Sequence, residues 1–403
     1  MQLTVCGIGG AGCRIADRLT AAEASGGRSF LVDSVALDTD RETLSGLTEI
    51  PPEARQLYGA LEADGTGVDG DRERGARCVD DEENELARLV SEAVSSQTDG
   101  ILFCVGLGGA SGATAIPPLA TELRRIYDCP IYAVGVLPAD GDAAGSTATG
   151  KSAGSAARSG SAATDESTAT AGSAGSDDTD IPATALWEAN AGIAIDELIS
   201  VTDSLLVFDN GLWLQSDETV TEPSVRRRLN ELLATRLAAL FAAGESDHAG
   251  QVAESVVDAS ELINTLEAGG IVSLGYAVQA IERPTESRFG LGLFMQETDI
   301  DDITAIKAVE TTVRRAVRGK LTAAVDHDSV GRGLLVVGGP PDWLNRRAIA
   351  DARSWLAQET GSVEIRGGDM PEAEGDEIVV IALLADVGSC PRVTALRAAA
   401  DSV

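Results

Sequence analysis

The chain reads as an α/β protein: a doubly wound parallel-sheet domain joined by one long helix to a second α/β domain. Three observations predict this. Apolar runs at 3–6, 31–37, 101–105 and 131–137 alternate with polar or glycine-rich turns and helical stretches, the pattern of a parallel sheet covered on both faces. Two of these runs lead straight into glycine-rich loops, Gly7-Ile-Gly-Gly-Ala-Gly12 and Gly106-Leu-Gly-Gly-Ala-Ser-Gly-Ala-Thr114. A third stretch, opened by Pro223 and ending before Gly244, carries Leu229, Leu232, Leu233, Leu237, Leu240 and Phe241 at helical spacing, with a proline start and a glycine stop.

The remaining elements follow in order. From about 140 to 182 the chain is nearly all Ser, Ala, Gly, Thr and Asp. Such a segment buries too little apolar surface to offset its ordering entropy and reads as a disordered insertion in one loop. Order resumes with a helix around 185–191 and a strand at 204–208. Beyond the long helix, strands at 270–274, 333–337 and 377–384 alternate with helices around 304–318 and 345–360. The expected division is 1–221, a connecting helix over 222–245, and 246–403. Binding loops should lie at the carboxyl ends of the strands.

Composition narrows the function. The 403 residues are 44% hydrophobic, enough for two packed cores. A net charge of −33, with only Lys151, Lys307 and Lys320 as lysines among 31 basic residues, argues against a nucleic-acid partner, which demands clustered positive charge. It fits a surface adapted to high salt, where screening weakens self-repulsion. No apolar run is long enough to span a bilayer, and no basic-then-apolar leader is present; direct membrane insertion is not expected and a cytoplasmic location is. The six cysteines stand singly and read as small buried hydrophobes. Only His248 and His327 are available, which leaves little room for histidine chemistry.

The two glycine loops carry the chemistry. Glycine permits positive φ and brings bare N–H groups to the start of a helix, where the dipole also favours negative charge. A pair of such loops can hold a triphosphate from two sides. Gly7, Gly9 and Gly12 alone also satisfy the dinucleotide pattern GxGxxG, so an NAD-type oxidoreductase stays open on the first loop.

Gly106 to Pro117, with the first loop before it, resembles the signature loop of the tubulin/FtsZ superfamily. Further agreement lies in Leu37-Asp-Thr-Asp40, in Val207-Phe-Asp-Asn-Gly-Leu212 and in Arg226-Arg-Arg-Leu-Asn230. In the second domain, Val336 to Arg346 and Val363 to Pro371 resemble the haloarchaeal CetZ branch. The resemblance covers nearly the whole chain except the insertion. It implies the tubulin/FtsZ fold, with a GTPase domain first, and GTP/GDP with Mg²⁺ as ligands.

Carried over by position, Gly9, Gly10, Ala11, Gly12 and Cys13 would lie under the phosphates, and Gly108, Gly109, Ala110, Ser111 and Gly112 would close the other side. Asn210 and Asn230 would recognise guanine and ribose, since an amide offers both donor and acceptor. Arg226 stands where an aromatic residue usually stacks on guanine. Asp40, or Asp38 in its place, would hold Mg²⁺ through an oxygen or a bound water. The family's catalytic element is an acidic loop that completes the site of the neighbouring subunit; here it corresponds to Val256-Val-Asp-Ala-Ser-Glu261, so Asp258 and Glu261 would polarise the attacking water.

Plainer readings stand beside these. Asp258 with Glu261 three residues on is also a helix capping box. Asp40 is equally a cap before Arg41-Glu-Thr-Leu44, and Asn210 a turn residue with Gly211. Arg226 to Arg228 read by default as a solvated face, and Trp187 and Trp213 as core. The chain departs from the family pattern at Val256, at Arg226, and at the glutamate expected after Pro138, for which Asp140, Asp142 and Asp180 are weak substitutes. It also shows no linker and apolar peptide after Val403. The reading is a GTPase assembling head to tail into filaments, in cell shape rather than division; the alternative is a GTP-binding regulator that neither polymerises nor hydrolyses efficiently.

Overall fold

A computed structural model describes residues 1–26, 29–80, 82–139, 183–243, 257–281, 302–372 and 375–402. The Ser/Ala/Gly-rich insertion, His248 and Val256 lie outside the described residues.

Six parallel strands build the first half: β1 (Leu3–Ile8), β2 (Leu31–Asp38), β3 (Arg55–Leu57), β4 (Gly100–Gly106), β5 (Ile131–Leu137) and β6 (Ser204–Asp209). Their order is β3-β2-β1-β4-β5-β6. The helices between them are α1 (Gly9–Gly26), α2 (Arg41–Ser45), α3 (Ala60–Ala63), α4 (Arg72–Asp80), α5 (Glu83–Ala93), α6 (Ser111–Ile126) and α7 (Ala183–Val201). A one-turn helix, α8 (Asn210–Trp213), follows β6, and the long helix α9 runs from Pro223 to Ala242 with proline in its first turn. The second half comprises α10 (Ala259–Leu266), β7 (Ile271–Ala280), α11 (Asp302–Arg318), β8 (Val330–Gly339), α12 (Arg346–Thr360), β9 (Glu364–Pro371), β10 (Glu377–Val387) and α13 (Pro391–Ala400).

The two halves share one sheet, which continues from β6 through β7-β10-β8-β9. The seam is narrow. β6 and β7 pair in parallel only at Leu205–Ile271 and Leu206–Val272, whereas β4 and β5 pair over six residues. β10 is antiparallel to both β7 and β8, and β9 is parallel to β8.

Strand residues alternate between two cores, as period-two side chains on a doubly covered sheet must. Leu3, Val5, Leu102 and Cys104 face the core that contains α1 and α9, while Cys6, Ile8, Phe103 and Val105 face the one formed with α5, α6 and α7. Helix α9 lies on α1, with Phe241 against Phe30 and the Met1 ammonium donating to the Phe241 carbonyl.

The strands at 3–8, 31–38, 100–106, 131–137 and 204–209 extend the sequence-predicted runs by one or two residues at most. β3 and β9 carry no apolar alternation that would announce them: β3 is three half-buried residues, and β9 is Glu-Ile-Arg-Gly-Gly-Asp-Met-Pro. All six cysteines are free, and five of them are buried.

Candidate functional site

Chain direction places the site. From β1 the chain turns to β2 on one side, and from β4 it turns to β5 on the other, so the carboxyl ends of β1 and β4 flank a topological switch point. The N-termini of α1 and α6 both open there. Gly9 takes φ +72, and a Cβ on it would lie 3.0 Å from the Gly112 nitrogen; a Cβ on Gly112 would lie 2.4 Å from the Ile8 carbonyl oxygen. Only glycine lets the two loops close to this distance. A hydroxyl contact of 2.8 Å between Thr39 and Ser111 and a 2.8 Å bond from the Tyr58 hydroxyl to the Ser111 carbonyl fix the second loop to the ends of β2 and β3.

The result is a cleft of about 450 Å³. Gly9, Gly10 and Ala11 line it from α1, and Gly108, Gly109, Ala110, Ser111 and Gly112 from the second loop; Asp40, Asn210, Arg226 and Asn230 complete the wall. Gly12 and Cys13 do not line it. A Cβ on Gly12 would sit 2.0 Å from the Cys104 carbonyl oxygen, so this glycine serves helix-to-strand packing. Cys13 is fully buried, its thiol donating to the Gly7 and Leu37 carbonyls at 3.3 and 3.4 Å, and burial pushes its pKa well up. The helical rotation of α1 explains the split: Gly10 and Ala11 face the cleft, Gly12 and Cys13 turn inward, and Arg14, one turn on from Gly10, returns to it.

Arg14 is therefore a site residue that motif reading missed, although its i, i+4 relation to Gly10 was available in the sequence. Its Nη2 would lie 3.1 Å from a Cβ on Gly10. The loop Asp64-Gly-Thr-Gly-Val-Asp-Gly70 was missed as well. Five of its seven residues have positive φ: Asp64, Gly65, Gly67, Asp69 and Gly70, and Thr66 to Gly70 line the cleft. Its Gly and Asp density was the signal. Trp187 lines the cleft rather than the core, and Asn190 beside it donates to the Gly70 carbonyl at 2.8 Å and the Gly108 carbonyl at 3.3 Å. One buried amide thus ties the 64–70 loop to the second glycine loop.

The Arg226–Arg228 run is not one solvated face. Arg227 is exposed, Arg226 faces the cleft, and Arg228 turns to Glu218 and the Trp213 carbonyl. Trp213 stacks on Phe208 with centroids 6.0 Å apart and donates to the Leu321 carbonyl. Asn210 starts α8, which Asp209 caps by accepting the Gly211 N–H at 2.9 Å.

Electrostatically the cleft is mixed. Asp40 caps α2: one oxygen accepts the Glu42 N–H and the other the Thr43 hydroxyl, both at 2.9 Å. Asp38 is 2% exposed; one oxygen accepts the Thr39 N–H at 2.7 Å, and Oδ2 has no hydrogen-bond partner among the described residues. Burial lifts the Asp38 carboxyl to about 7, with Asp40 adding to the rise and the Thr39 N–H and Arg14 opposing it. Burial and the Arg226 guanidinium pull Arg14 down, while Asp38 and Asp40 hold it up.

These carboxylates fit a magnesium ion that brings most of its own ligands, since Mg²⁺ retains several waters and takes one or two carboxylates beside phosphate oxygens. Among the described residues no cluster of three or more His, Cys, Asp or Glu forms an all-protein metal cage.

Two family models match the chain. "Tubulin/FtsZ family, GTPase domain" covers residues 2–163, and "Tubulin-like CetZ, C-terminal domain" covers 218–402. Tubulin-like protein CetZ5 of Haloferax volcanii is 39% identical over 406 residues, spanning 99% of this chain and 91% of the relative. The chain belongs to the tubulin-like CetZ family. Among solved structures, the GDP-bound monomer of CetZ1 from Haloferax volcanii superposes with a TM-score of 0.78 at 28% identity, covering all of this chain and 99% of that one. The GTPγS-bound protofilament of CetZ2 from the same organism gives 0.77 at 28%, covering 100% and 98%. The tubulin/FtsZ fold is thereby established.

In this CetZ-family chain, Asp258 and Glu261 do not line the cleft. Asp258 caps α10, accepting the Glu261 N–H at 2.9 Å and the Ser260 hydroxyl at 2.5 Å, and these bonds lower its pKa. Burial raises Glu261, with Asp258 adding to the rise and Arg366 and Arg353 opposing it. Helix α10 leads into β7, whose first residue pairs with Leu205 at the start of β6. The cleft lies at the other end of that strand. Among the described residues, no helix is long and apolar enough to cross a membrane.

Proposed function

We propose that this chain binds GTP in the cleft and assembles head to tail, with hydrolysis completed across the contact between successive copies. One observation carries the reading: the anion cradle and the acidic pair Asp258/Glu261 occupy different parts of the molecule. A carboxylate pair that activates water for a neighbour's nucleotide requires a heterologous contact, and heterologous contacts that do not close make filaments. The GTPγS-bound protofilament of CetZ2 and the GDP-bound CetZ1 monomer support the same reading.

The residues have distinct tasks. Backbone N–H groups at the starts of α1 and α6 receive phosphate oxygens and stabilise charge that grows in phosphoryl transfer. Asn210 and Asn230 present amides to the guanine edge, and the Arg226 guanidinium stacks on the ring. Asp40, with Asp38 behind it, would hold Mg²⁺ through water; that ion would neutralise phosphate charge. Asp258 and Glu261 of the next copy orient and polarise the attacking water. The working division is a nucleotide unit over 1–221, the helix region 222–245 and a C-terminal unit over 246–403, and the cellular role is control of shape in the cytoplasm.

Phosphate release, measured per mole of protein across a dilution series in GTP and Mg²⁺ at high salt, tests this. The rate per mole should rise with concentration and track the pelleted fraction. A rate indifferent to dilution would exclude a shared site. A GTP-binding regulator that does not assemble is the second reading, favoured by the engagement of the Asp258 carboxylate in its own helix cap; nucleotide binding with neither pellet nor phosphate release would select it. Packing glycines at Gly7 and Gly12 suit the dinucleotide fingerprint equally well; what disfavours that reading is the match to the tubulin/FtsZ GTPase-domain family over residues 2–163.

A further inference from the structure

Arg236 on α9 is a buried cation without a carboxylate. It is 8% exposed, makes no ion pair among the described residues, and donates from Nη1 to the Leu232 carbonyl of its own helix at 2.7 Å. Its guanidinium carbon lies instead 4.4 Å from the centroid of the Trp213 ring and 5.4 Å from that of Tyr276. Lys320 brings a second cation, with Nζ 5.6 Å from the Trp213 centroid, and Phe208 stacks on the same indole. Withdrawing a guanidinium from water without a counter-charge is costly, and a chain with 64 acidic residues could easily supply one. What Arg236 holds in its place is an aromatic ring.

The polar edge of that indole reaches the other half of the molecule. Trp213 Nε1 donates to the Leu321 carbonyl at 3.1 Å, and the Asp209 N–H donates to the Thr322 carbonyl at 2.8 Å. Leu321 to Ala323 is tied in turn to β7. The Thr322 N–H donates to the Leu274 carbonyl at 2.9 Å, the Leu274 N–H to the Thr322 hydroxyl at 2.9 Å, and the Ser273 hydroxyl to the Ala323 carbonyl at 2.7 Å. These bonds carry the link onward where the pairing of β6 with β7 stops, at Leu206–Val272.

Between these anchors lies α8. It is a single turn that contains a glycine, capped by Asp209 and closed by the Leu214 N–H on the Asn210 carbonyl at 3.1 Å. One turn does not hold itself in water. Asn210 at its start lines the cleft, whereas Trp213, Arg236, Lys320 and Leu321 do not. The direction in which α8 presents Asn210 is therefore set at the far end of the turn.

We propose that Trp213 is a positioning residue for Asn210: gripped by Arg236 and Lys320 at its ring and by the Leu321 carbonyl at its edge, it fixes α8 so that the Asn210 amide meets the base. The inference rests on the proposed GTP site and deepens it, since base recognition then depends on a segment of the second half that stays outside the cleft. Such coupling is reciprocal, so a nucleotide bound through Asn210 tightens the link between the halves to the same degree.

A double-mutant cycle on the full chain tests it, with equilibrium affinities for GTP and for inorganic tripolyphosphate below the assembly threshold, at constant Mg²⁺ and high salt. Trp213→Leu should weaken GTP about 3- to 10-fold, the share that one amide's hydrogen bonds carry, and leave tripolyphosphate unchanged because the glycine loops are untouched. In an Asn210→Ala background the same substitution should cost nothing further. Trp213→Phe keeps a ring for Arg236 without the indole donor, and Arg236→Met keeps the stem without the charge. Both preserve bulk, so they serve where Trp213→Leu fails to fold, and each should give a smaller loss that also disappears with Asn210→Ala. Equal losses in both backgrounds, or equal losses for GTP and tripolyphosphate, would overturn the proposal and make the cluster ordinary packing. GTP affinity unchanged in every folded variant, or in Asn210→Ala itself, would do the same. A wild type that binds tripolyphosphate as tightly as GTP would instead remove the GTP reading itself, and this inference with it.

Discussion

Gly9 and Gly112 meet backbone to backbone at the switch point, where a Cβ on the first would stand 3.0 Å from the nitrogen of the second. This contact sets the spacing of the two helix N-termini. Gly112→Ala would place its methyl carbon 2.4 Å from the Ile8 carbonyl oxygen and 2.8 Å from Val105 Cγ2, both parts of central strands. We expect a loss of about 1–3 kcal/mol in stability from overpacking, together with at least tenfold weaker nucleotide binding. Gly109→Ala is the control, since the nearest atom to its Cβ is 3.6 Å away. It should melt like the wild type. Comparable destabilisation of both variants would show that the close approach is not what makes Gly112 necessary.

The two roles of Asp258 separate by substitution. Asparagine caps helices about as well as aspartate, whereas alanine loses about 1 kcal/mol. Asp258→Asn should therefore keep the melting temperature and the GTP affinity while phosphate release falls sharply. Asp258→Ala should lose both release and some stability. If Asp258→Asn releases phosphate at the wild-type rate, the carboxylate serves the cap alone.

Much of this site was legible because its chemistry demands unusual sequence. Two glycine loops after buried strands, with asparagines at 210 and 230, cannot be written in ordinary core residues, and the structure brings all of them to one cleft. What stayed hidden was contributed by packing. Gly12 and Cys13 belong to the motif by letter but point inward, because a helix that starts at Gly9 turns 100° per residue. Arg14 comes back to the cleft by the same rotation. Trp187 and Asn190 follow an uninformative insertion, and only the tertiary fold brings them beside Gly70 and Gly108. β3 and β9 were invisible because edge strands can be short and polar, with no apolar period to detect.

Asn190 is the residue through which the 64–70 loop should be tunable. Its amide is buried, and it donates to two carbonyls on separate loops. Asn190→Ala leaves both carbonyls without that donor. We expect about 1–3 kcal/mol of destabilisation, faster amide exchange confined to 64–70 and 106–110, and weaker nucleotide binding. Uniform protection across these loops in the variant would mean that their order has another source.

Asp17 offers a pH-dependent test away from the site. It is 3% exposed, and its Oδ1 accepts the N–H groups of Thr48, Glu49 and Ile50 at 2.9, 2.7 and 3.1 Å, while Oδ2 takes Arg18 at 2.7 Å. Burial by itself would raise this carboxyl, but the Arg18 bond and the three backbone donors outweigh it and the pKa falls below its usual value. The unfolded chain therefore binds the proton more readily than the folded one. Its stabilising contribution is fully present above the unfolded pKa, near 3.9, and is lost as pH falls through the lower, folded pKa. Asp17→Asn keeps an acceptor but removes the charge, so at pH 7 it should lose about 1.5–3 kcal/mol, the range for hydrogen bonds to a charged group. Near pH 3, below the unfolded pKa, the difference between the two proteins should shrink, because the unfolded wild-type chain takes up the proton that the folded carboxylate resists. Denaturant unfolding at both pH values and constant high salt decides it: a gap that stays the same, or widens towards acid, would mean that the turn at 48–50 is held by packing and not by the charge on Asp17.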